Sequence, residues 1–209
     1  MTKVKICGIT NLDDALFAAR VGADALGFNF YKKSPRYTPP NDAANIIKQL
    51  PHHILRVGVF VNEPAENIAE IASVSSLDAV QLHGDESPEF VKELNRLVPH
   101  WVIKAFRVSQ GFVPEYVLPY EMDTIFLDAF SVQEYGGTGE TFNWETARKV
   151  HKLGTNVYLA GGLSPENVAD AIRLVRPYGV DACSCLEREK GLKDHMKVKA
   201  FIDAAKGVG

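Results

Sequence analysis

Seven residues into the chain the alternating segment "VKIC" ends in Cys7 and runs straight into Gly8. A cysteine there is either a small buried hydrophobe or a thiol at the mouth of a site, acting as a nucleophile or, once ionised, as a base. With an ordinary thiol pKa of about 8.5, little of it is thiolate near neutrality, so a basic role needs surroundings that lower that value. Asp128 closes the very apolar run "IFLDA". It is either half of a buried ion pair or an acid that dry surroundings keep ready to donate a proton. In "LAGGLSPEN", Gly161 and Gly162 allow close backbone approach to an anion, and a helix start follows. Ser184, in "DACSCLE", adds a hydroxyl to the same candidate phosphate site, and glycine pairs are equally at home in a plain tight turn. Arg36, in "KKSPRYTPP", is a solvated surface arginine or a planar fork for a substrate carboxylate. His83, in "QLHG", is a core histidine or a partner near Cys7, and Asp181, in "GVDACS", is a further inward acid.

Something must bring these scattered residues together. Short β-branched runs recur as "VKIC", "ADALGFNF", "LRVGVFV", "DAVQLH", "WVIKAF", "DTIFLDA", "NVYLAGG" and "GVDACS". Segments of helical spacing lie between several of them, and "KDHMKVKAFIDAAKG" reads as an amphipathic closing helix. Ser87-Pro88-Glu89 and Ser164-Pro165-Glu166 each have the pattern of an N-cap serine, a first-turn proline and an early acid. Strand starts fall about 20 to 33 residues apart, the length of one βα unit. Eight such units with no linker predict a (β/α)8 barrel of eight parallel strands, a single domain over residues 1–209. A doubly wound sheet is the alternative, but "CGITNLDD" carries no G-x-G-x-x-G. In a barrel, catalytic groups gather at the C-terminal strand ends, and alternate residues point inward. Lys5 and Cys7 share one parity, Gln81 and His83 another, and Asp128 and Asp181 alternate with apolar neighbours.

Composition narrows the functions. The 209 residues are 46% hydrophobic and 23% charged, with a net charge of −3, which argues against nucleic-acid binding. The beginning of the chain has no signal-peptide pattern and no stretch is apolar enough to span a bilayer, so a cytoplasmic protein away from membranes is expected. Its three cysteines, Cys7, Cys183 and Cys185, are then expected to be reduced thiols. "CSC" lacks a second ligand pair, so no metal is expected. "EYGGTGETFNW" lacks the lysine of a triphosphate-binding loop and reads instead as a lid.

The stretches "VKICGIT", "GADALGFNFYKKSPRY", "VGVFVN", "VQLHGDE", "LDAF…EYGGTGETFNW", "AGGLSPENV" and "VRPYGVD" together resemble the phosphoribosylanthranilate isomerase family of tryptophan biosynthesis. The similarity runs in order from Lys3 to the final helix. It implies a (β/α)8 barrel that converts N-(5-phosphoribosyl)anthranilate to its 1-deoxyribulose 5-phosphate isomer, an Amadori rearrangement using no metal or organic cofactor. It further implies Asp128 as the acid that opens the furanose to a Schiff base. Cys7 becomes the base that takes the proton from the sugar's C2, giving an enolamine that tautomerises to the ketone. Arg36 pairs with the anthranilate carboxylate, Gly161, Gly162 and Ser184 hold the phosphate, and Asp181 contacts the sugar, with His83 also on the substrate side. The partner is thus a phosphorylated small molecule, and the chain acts as a monomer or homodimer. One stretch departs from the family. Where D-x-S-S-G-x-E is common, this chain reads "DACSCLE", with Cys183 at the first serine and Cys185 at the glycine. Loss of that glycine predicts ordinary φ or mild strain at Cys185.

Overall fold

Eight parallel strands close on themselves in sequence order. They are β1 (Lys3–Cys7), β2 (Ala25–Asn29), β3 (Leu55–Phe60), β4 (Ala79–Leu82), β5 (Trp101–Val108), β6 (Thr124–Ala129), β7 (Asn156–Leu159) and β8 (Gly179–Ala182). The structure, a computed structural model, describes residues 1–109, 111–129 and 144–208. Helices α1 (Leu12–Arg20), α2 (Pro40–Ile47), α3 (Ala65–Val74), α4 (Pro88–Leu97), α5 (Trp144–His151), α6 (Val168–Val175) and α7 (His195–Lys206) follow their strands, except after β5. There a 3-10 helix, Pro114–Tyr120, takes the helix position, with Pro114 in its first turn and Pro119 inside it. Pro119 removes an N–H that an α-helix would need. The residues 134–143 read as a lid lie outside those described.

Strand alternation sorts the side chains into two layers. Val4, Ile6, Leu26, Phe28, Val80, Leu82, Ile125, Leu127, Val157, Leu159 and Val180 are buried against the helices. Ala25, Val57, Ala79, Ile103, Ala105, Phe126 and Tyr158 fill the barrel interior. Polar residues join this inner set: Lys5, Gln81, Asp128 and Asp181 are all buried. Every one of them falls on the inward parity read from sequence.

Two helix starts illustrate local control. Ser87 caps α4 as expected, its side chain accepting from the Phe90 N–H. Ser164 does not cap α6, which begins at Val168. The reason is Asn167, whose side chain accepts from Ser164 N–H at 2.8 Å and donates to the Gly162 carbonyl at 2.9 Å. That closes residues 164–167 into a turn ahead of the helix. Beyond β8 the chain adds a hairpin that the sequence did not suggest, β9 (Glu187–Glu189) antiparallel to β10 (Leu192–Lys193). Asp14, buried in α1, anchors it by accepting from Lys193 N–H at 2.9 Å while binding His195 Nε2 at 2.9 Å. Lys193 therefore belongs to β10, and Asp194 caps the closing helix.

Gly179 stands opposite Tyr158 in the β7–β8 register, and a β-carbon there would run into the Tyr158 ring. That ring is stacked on Phe126 with centroids 4.6 Å apart. Gly179→Ala must therefore push one layer of the barrel apart. A loss of about 1–3 kcal/mol is expected, lowering Tm by about 2–4 °C per kcal/mol in a chain of this size. Differential scanning calorimetry of the variant measures it, and an unchanged Tm contradicts the packing account.

Candidate active site

The chemistry begins at the β1–β8 seam, where Lys5 stands opposite Asp181. Lys5 Nζ donates to Asp181 Oδ1 at 3.0 Å and lies 5.2 Å from the centre of the Phe126 ring. Burial would lower the Lys5 pKa, but Asp181 and Cys7 outweigh it and raise the value, so the ammonium persists inside the barrel. Burial pushes Asp181 up to about 7, with Lys5 opposing and Cys7 and Asp128 adding to the rise. Cys7 itself is 9% exposed and at the end of β1. Cys183, the residue after β8, lines the same cavity. The neighbouring Cys183 thiol first, then burial, raises the Cys7 pKa against the pull of Lys5 and Lys193. The low thiol is Cys183: the neighbouring Cys7 thiol first, then Lys193 and Arg36, bring it down to about 6 against burial. The lowered value that a basic Cys7 was expected to show thus falls on its neighbour.

The β9–β10 hairpin supplies the next layer. Arg36 is buried, and its Nε and Nη2 each donate to the Glu187 carboxylate at 2.9 Å. Lys193 Nζ joins the same carboxylate at 3.2 Å and reaches the Cys183 carbonyl at 3.2 Å. The fork expected to meet a substrate carboxylate is therefore taken up by Glu187, because a buried guanidinium without a counter-charge would be costly. The Arg36 loop is itself pinned: Asn29 accepts from Tyr31 N–H at 2.9 Å, Ser34 Oγ from Arg36 N–H at 3.1 Å, and Thr38 donates to the Ile9 carbonyl at 3.0 Å.

Across the mouth, His83 Nε2 lies 2.9 Å from Asp128 Oδ2, and the Gln81 amide nitrogen lies 3.2 Å from His83 Nδ1. The roles follow the imidazole tautomer: Nε2 donates to the Asp128 carboxylate or accepts from its protonated form. The loop after β4 holds this arrangement. Glu86 turns back to accept from Gly84 N–H at 3.0 Å and Asn62 N–H at 2.8 Å, with Lys104 3.2 Å away.

Gly161 and Gly162 follow β7 with φ of 80° and 67°, a left-handed pair that a side chain would strain. Facing them, Ser184 and Cys185 lie in a short 3-10 turn, Ser184–Leu186. Cys185 is not among the residues of positive φ, so the loop has done without a glycine there and the expectation of ordinary φ holds. A cavity of about 320 Å³ joins the groups: Cys7, Arg36, His83, Asp128, Gly161, Gly162, Asp181 and Ser184 all line it. Sequence reasoning gave no role to Lys5, Lys193 or Glu187. Inward parity was the available signal for Lys5, and the other two sit on a hairpin too short to show a period.

A closed parallel barrel with a thiol, a carboxyl and an arginine converging at the C-terminal strand ends defines a (β/α)8 enzyme. The chain belongs to the N-(5'-phosphoribosyl)anthranilate isomerase family, whose model matches residues 4–204. Among named relatives it is 50% identical to the N-(5'-phosphoribosyl)anthranilate isomerase of Trichlorobacter lovleyi over 206 residues, covering 99% of this chain and 98% of that one. The Aquifex aeolicus isomerase is 50% identical over 209 residues, covering 99% of each. Phosphoribosyl anthranilate isomerase from Thermotoga maritima superposes with a TM-score of 0.93 at 47% identity, covering 99% of this chain and 100% of that one. A further solved structure is of the isomerase in complex with reduced 1-(o-carboxyphenylamino)-1-deoxyribulose 5-phosphate, with a TM-score of 0.89 at 45% identity over 99% of this chain and 100% of that one.

The Glu187 cluster gives a pH-dependent prediction. Burial raises the Glu187 carboxyl, but Arg36 and Lys193 outweigh it and hold the pKa below the ordinary glutamate range. A value lower in the folded than in the unfolded chain stabilises fully above the unfolded pKa of about 4.3 and fades as pH falls through the folded value. Glu187→Gln is expected to cost about 1.5–3 kcal/mol at pH 7. Urea unfolding at pH 7 and again below pH 4 should show the gap between wild type and variant narrowing in acid; a constant gap refutes the assignment.

Proposed function

We propose that Cys7 and Asp128 perform the two proton transfers of an Amadori rearrangement, converting N-(5'-phosphoribosyl)anthranilate to 1-(2-carboxyphenylamino)-1-deoxyribulose 5-phosphate in tryptophan biosynthesis. What supports this reading is the convergence of a thiol from β1 and a carboxyl from β6 on one cavity, in a member of this family. Asp128, steadied by His83, donates to the furanose ring oxygen, and the C1–O bond breaks to give a protonated Schiff base. Cys7 takes the C2 proton while the C–H electron pair moves into the enolamine, which relaxes to the ketone.

The rest of the cavity binds. The backbone at Gly161 and Gly162, with Ser184 opposite, takes the phosphate, and approach by main-chain N–H groups suits a dianion. Arg36, held by Glu187, offers the anthranilate carboxylate the donor its fork leaves over. Asp181 faces the sugar from the other side of Lys5. Residues 1–209 act as one catalytic domain, as a monomer or homodimer. The related Thermotoga maritima isomerase is described as dimeric. Among the described residues no helix is long and apolar enough to cross a membrane. Three free thiols suit the reducing cytoplasm proposed as the compartment.

Positioned acids and bases contribute about 10²–10⁴-fold each. Cys7→Ala and Asp128→Asn should each lower kcat by about that factor with KM little changed, because both groups act in the transition state. The decay of the anthranilate substrate's fluorescence measures turnover. Near-wild-type kcat in either variant removes that residue from its role, and tight substrate binding without any turnover by the wild type would reduce the chain to a binding protein.

A further inference from the structure

His83, the residue after β4, is held through its backbone and its ring alike. Its N–H donates to the Phe60 carbonyl at 2.8 Å, and the following N–H, of Gly84, donates to the buried Glu86 carboxylate at 3.0 Å. The ring has a partner at each nitrogen. Nε2 lies 2.9 Å from Asp128 Oδ2, and Nδ1 lies 3.2 Å from the amide nitrogen of Gln81, which shares its face of the strand. Gln81 is fully buried, and Val57, Ala79, Ile103 and Ala105 belong to the same inner layer of the barrel. Its Oε1 is buried with no partner among the described residues. The interior thus keeps an amide for a single polar contact, the one to His83. An apolar side chain of similar length would cost less there unless that contact is used.

We propose that Gln81 is a positioning residue for the acid: by donating to His83 Nδ1 it keeps the imidazole neutral, with the ring proton on Nε2 toward Asp128. The proposal rests on the reading of Asp128 as the acid that opens the furanose. Which ring nitrogen carries the proton is set by the hydrogen bond the other one makes. A nitrogen that accepts a hydrogen bond carries no proton of its own, so a donor at Nδ1 opposes both the other tautomer and the doubly protonated imidazolium. An imidazolium would pair with an ionised Asp128, and a carboxylate has no proton to give. With His83 neutral, the Nε2–H donates to Oδ2, and Oδ1 is left to carry the acid proton. Both Asp128 and His83 line the cavity.

The transfer then balances without any change at the ring. The Asp128 O–H bond breaks, its electron pair stays on Oδ1, and the proton joins the furanose ring oxygen. The C1–O electrons pass to that oxygen while the substrate nitrogen's lone pair forms the C=N bond. The carboxylate left behind still receives the Nε2–H, and a hydrogen bond to an ionised acceptor is stronger than one to the neutral acid. His83 therefore favours the state after transfer while neither gaining nor losing a proton. An acceptor at position 81 would reverse this. Nδ1 would then hold the proton, and Nε2 would turn toward Asp128 either a lone pair or the N–H of an imidazolium.

The test is heteronuclear NMR of the His83 ring nitrogens, with steady-state kinetics at neutral pH, in wild type, Gln81→Glu and Gln81→Met. In the wild type Nδ1 should resonate as a bare ring nitrogen and Nε2 as a protonated one. Gln81→Glu keeps the shape and exchanges the donor for an acceptor. It should protonate Nδ1 and lower kcat by about 100-fold with KM little changed. Gln81→Met keeps the length and offers no donor, and should lower kcat by about tenfold. In a His83→Ala background Gln81→Met should lower kcat no further, because Gln81 acts through the ring. An equal loss in both backgrounds marks a merely structural role and overturns the proposal. Wild-type His83 protonated at Nδ1 overturns it too, as does wild-type kcat in both Gln81 variants. If neither variant folds, the wild-type spectrum decides alone. The underlying reading fails separately: if Asp128→Asn keeps its kcat, Asp128 is not the acid, whereas the His83 tautomer is judged by the spectrum.

Discussion

Lys5 stands opposite Asp181 and Ile6 opposite Ala182 where the first and last strands of the barrel pair in parallel. Closure at this seam costs the loop entropy of nearly the whole chain, and the rest of the site depends on it. It places a buried ammonium 3.0 Å from a buried carboxylate, with Cys7 and Cys183 next along the same two strands. An open sheet with the same local strands would leave those four residues on opposite edges. The pocket therefore reports the topology as much as the identity of its residues.

Burying ions works against stability unless each is paired and hydrogen-bonded. This barrel meets that condition in layers. Asp181 answers Lys5 within the barrel, Glu187 answers Arg36 and Lys193 above it, and Glu86 answers Lys104 beneath His83. A wholly apolar interior would pack as well at less cost, so the charges are best explained by the chemistry they surround. Their arrangement fixes Arg36 before a ligand arrives. A guanidinium already held by Glu187 loses little further freedom on binding, which favours orientation of a substrate carboxylate.

The barrel was legible in the sequence because its signals are long: eight apolar runs at the spacing of βα units, each with one parity facing inward. Lys5, Cys7, Gln81, His83, Asp128 and Asp181 could be placed from that parity. The misreadings occur where a short range competes. Ser164 has the residues of an N-cap, but Asn167 closes the turn first and α6 starts at Val168. Lys193 looks helical beside "DHMKVKAF", although Asp194 caps the helix and Lys193 is the end of a two-residue strand. Glu187 could be seen but not its use, since its partner Arg36 lies 151 positions away. Pairings of that reach leave no local pattern.

The two unusual cysteines make the same point from the opposite side. Cys185 occupies a place where the resemblance suggests a glycine, yet its turn closes with ordinary φ, and the left-handed pair is kept across the cavity at Gly161 and Gly162. A turn that needs no left-handed residue at 185 accepts a side chain there. Position 183 is different. Its side chain is inward, against Gly8 and Cys7, and whatever stands there changes the electrostatics of the first strand's thiol. Lys193 Nζ lies 3.9 Å from the Cys183 sulfur, and together with Arg36 it lowers that thiol's pKa against the burial that would raise it.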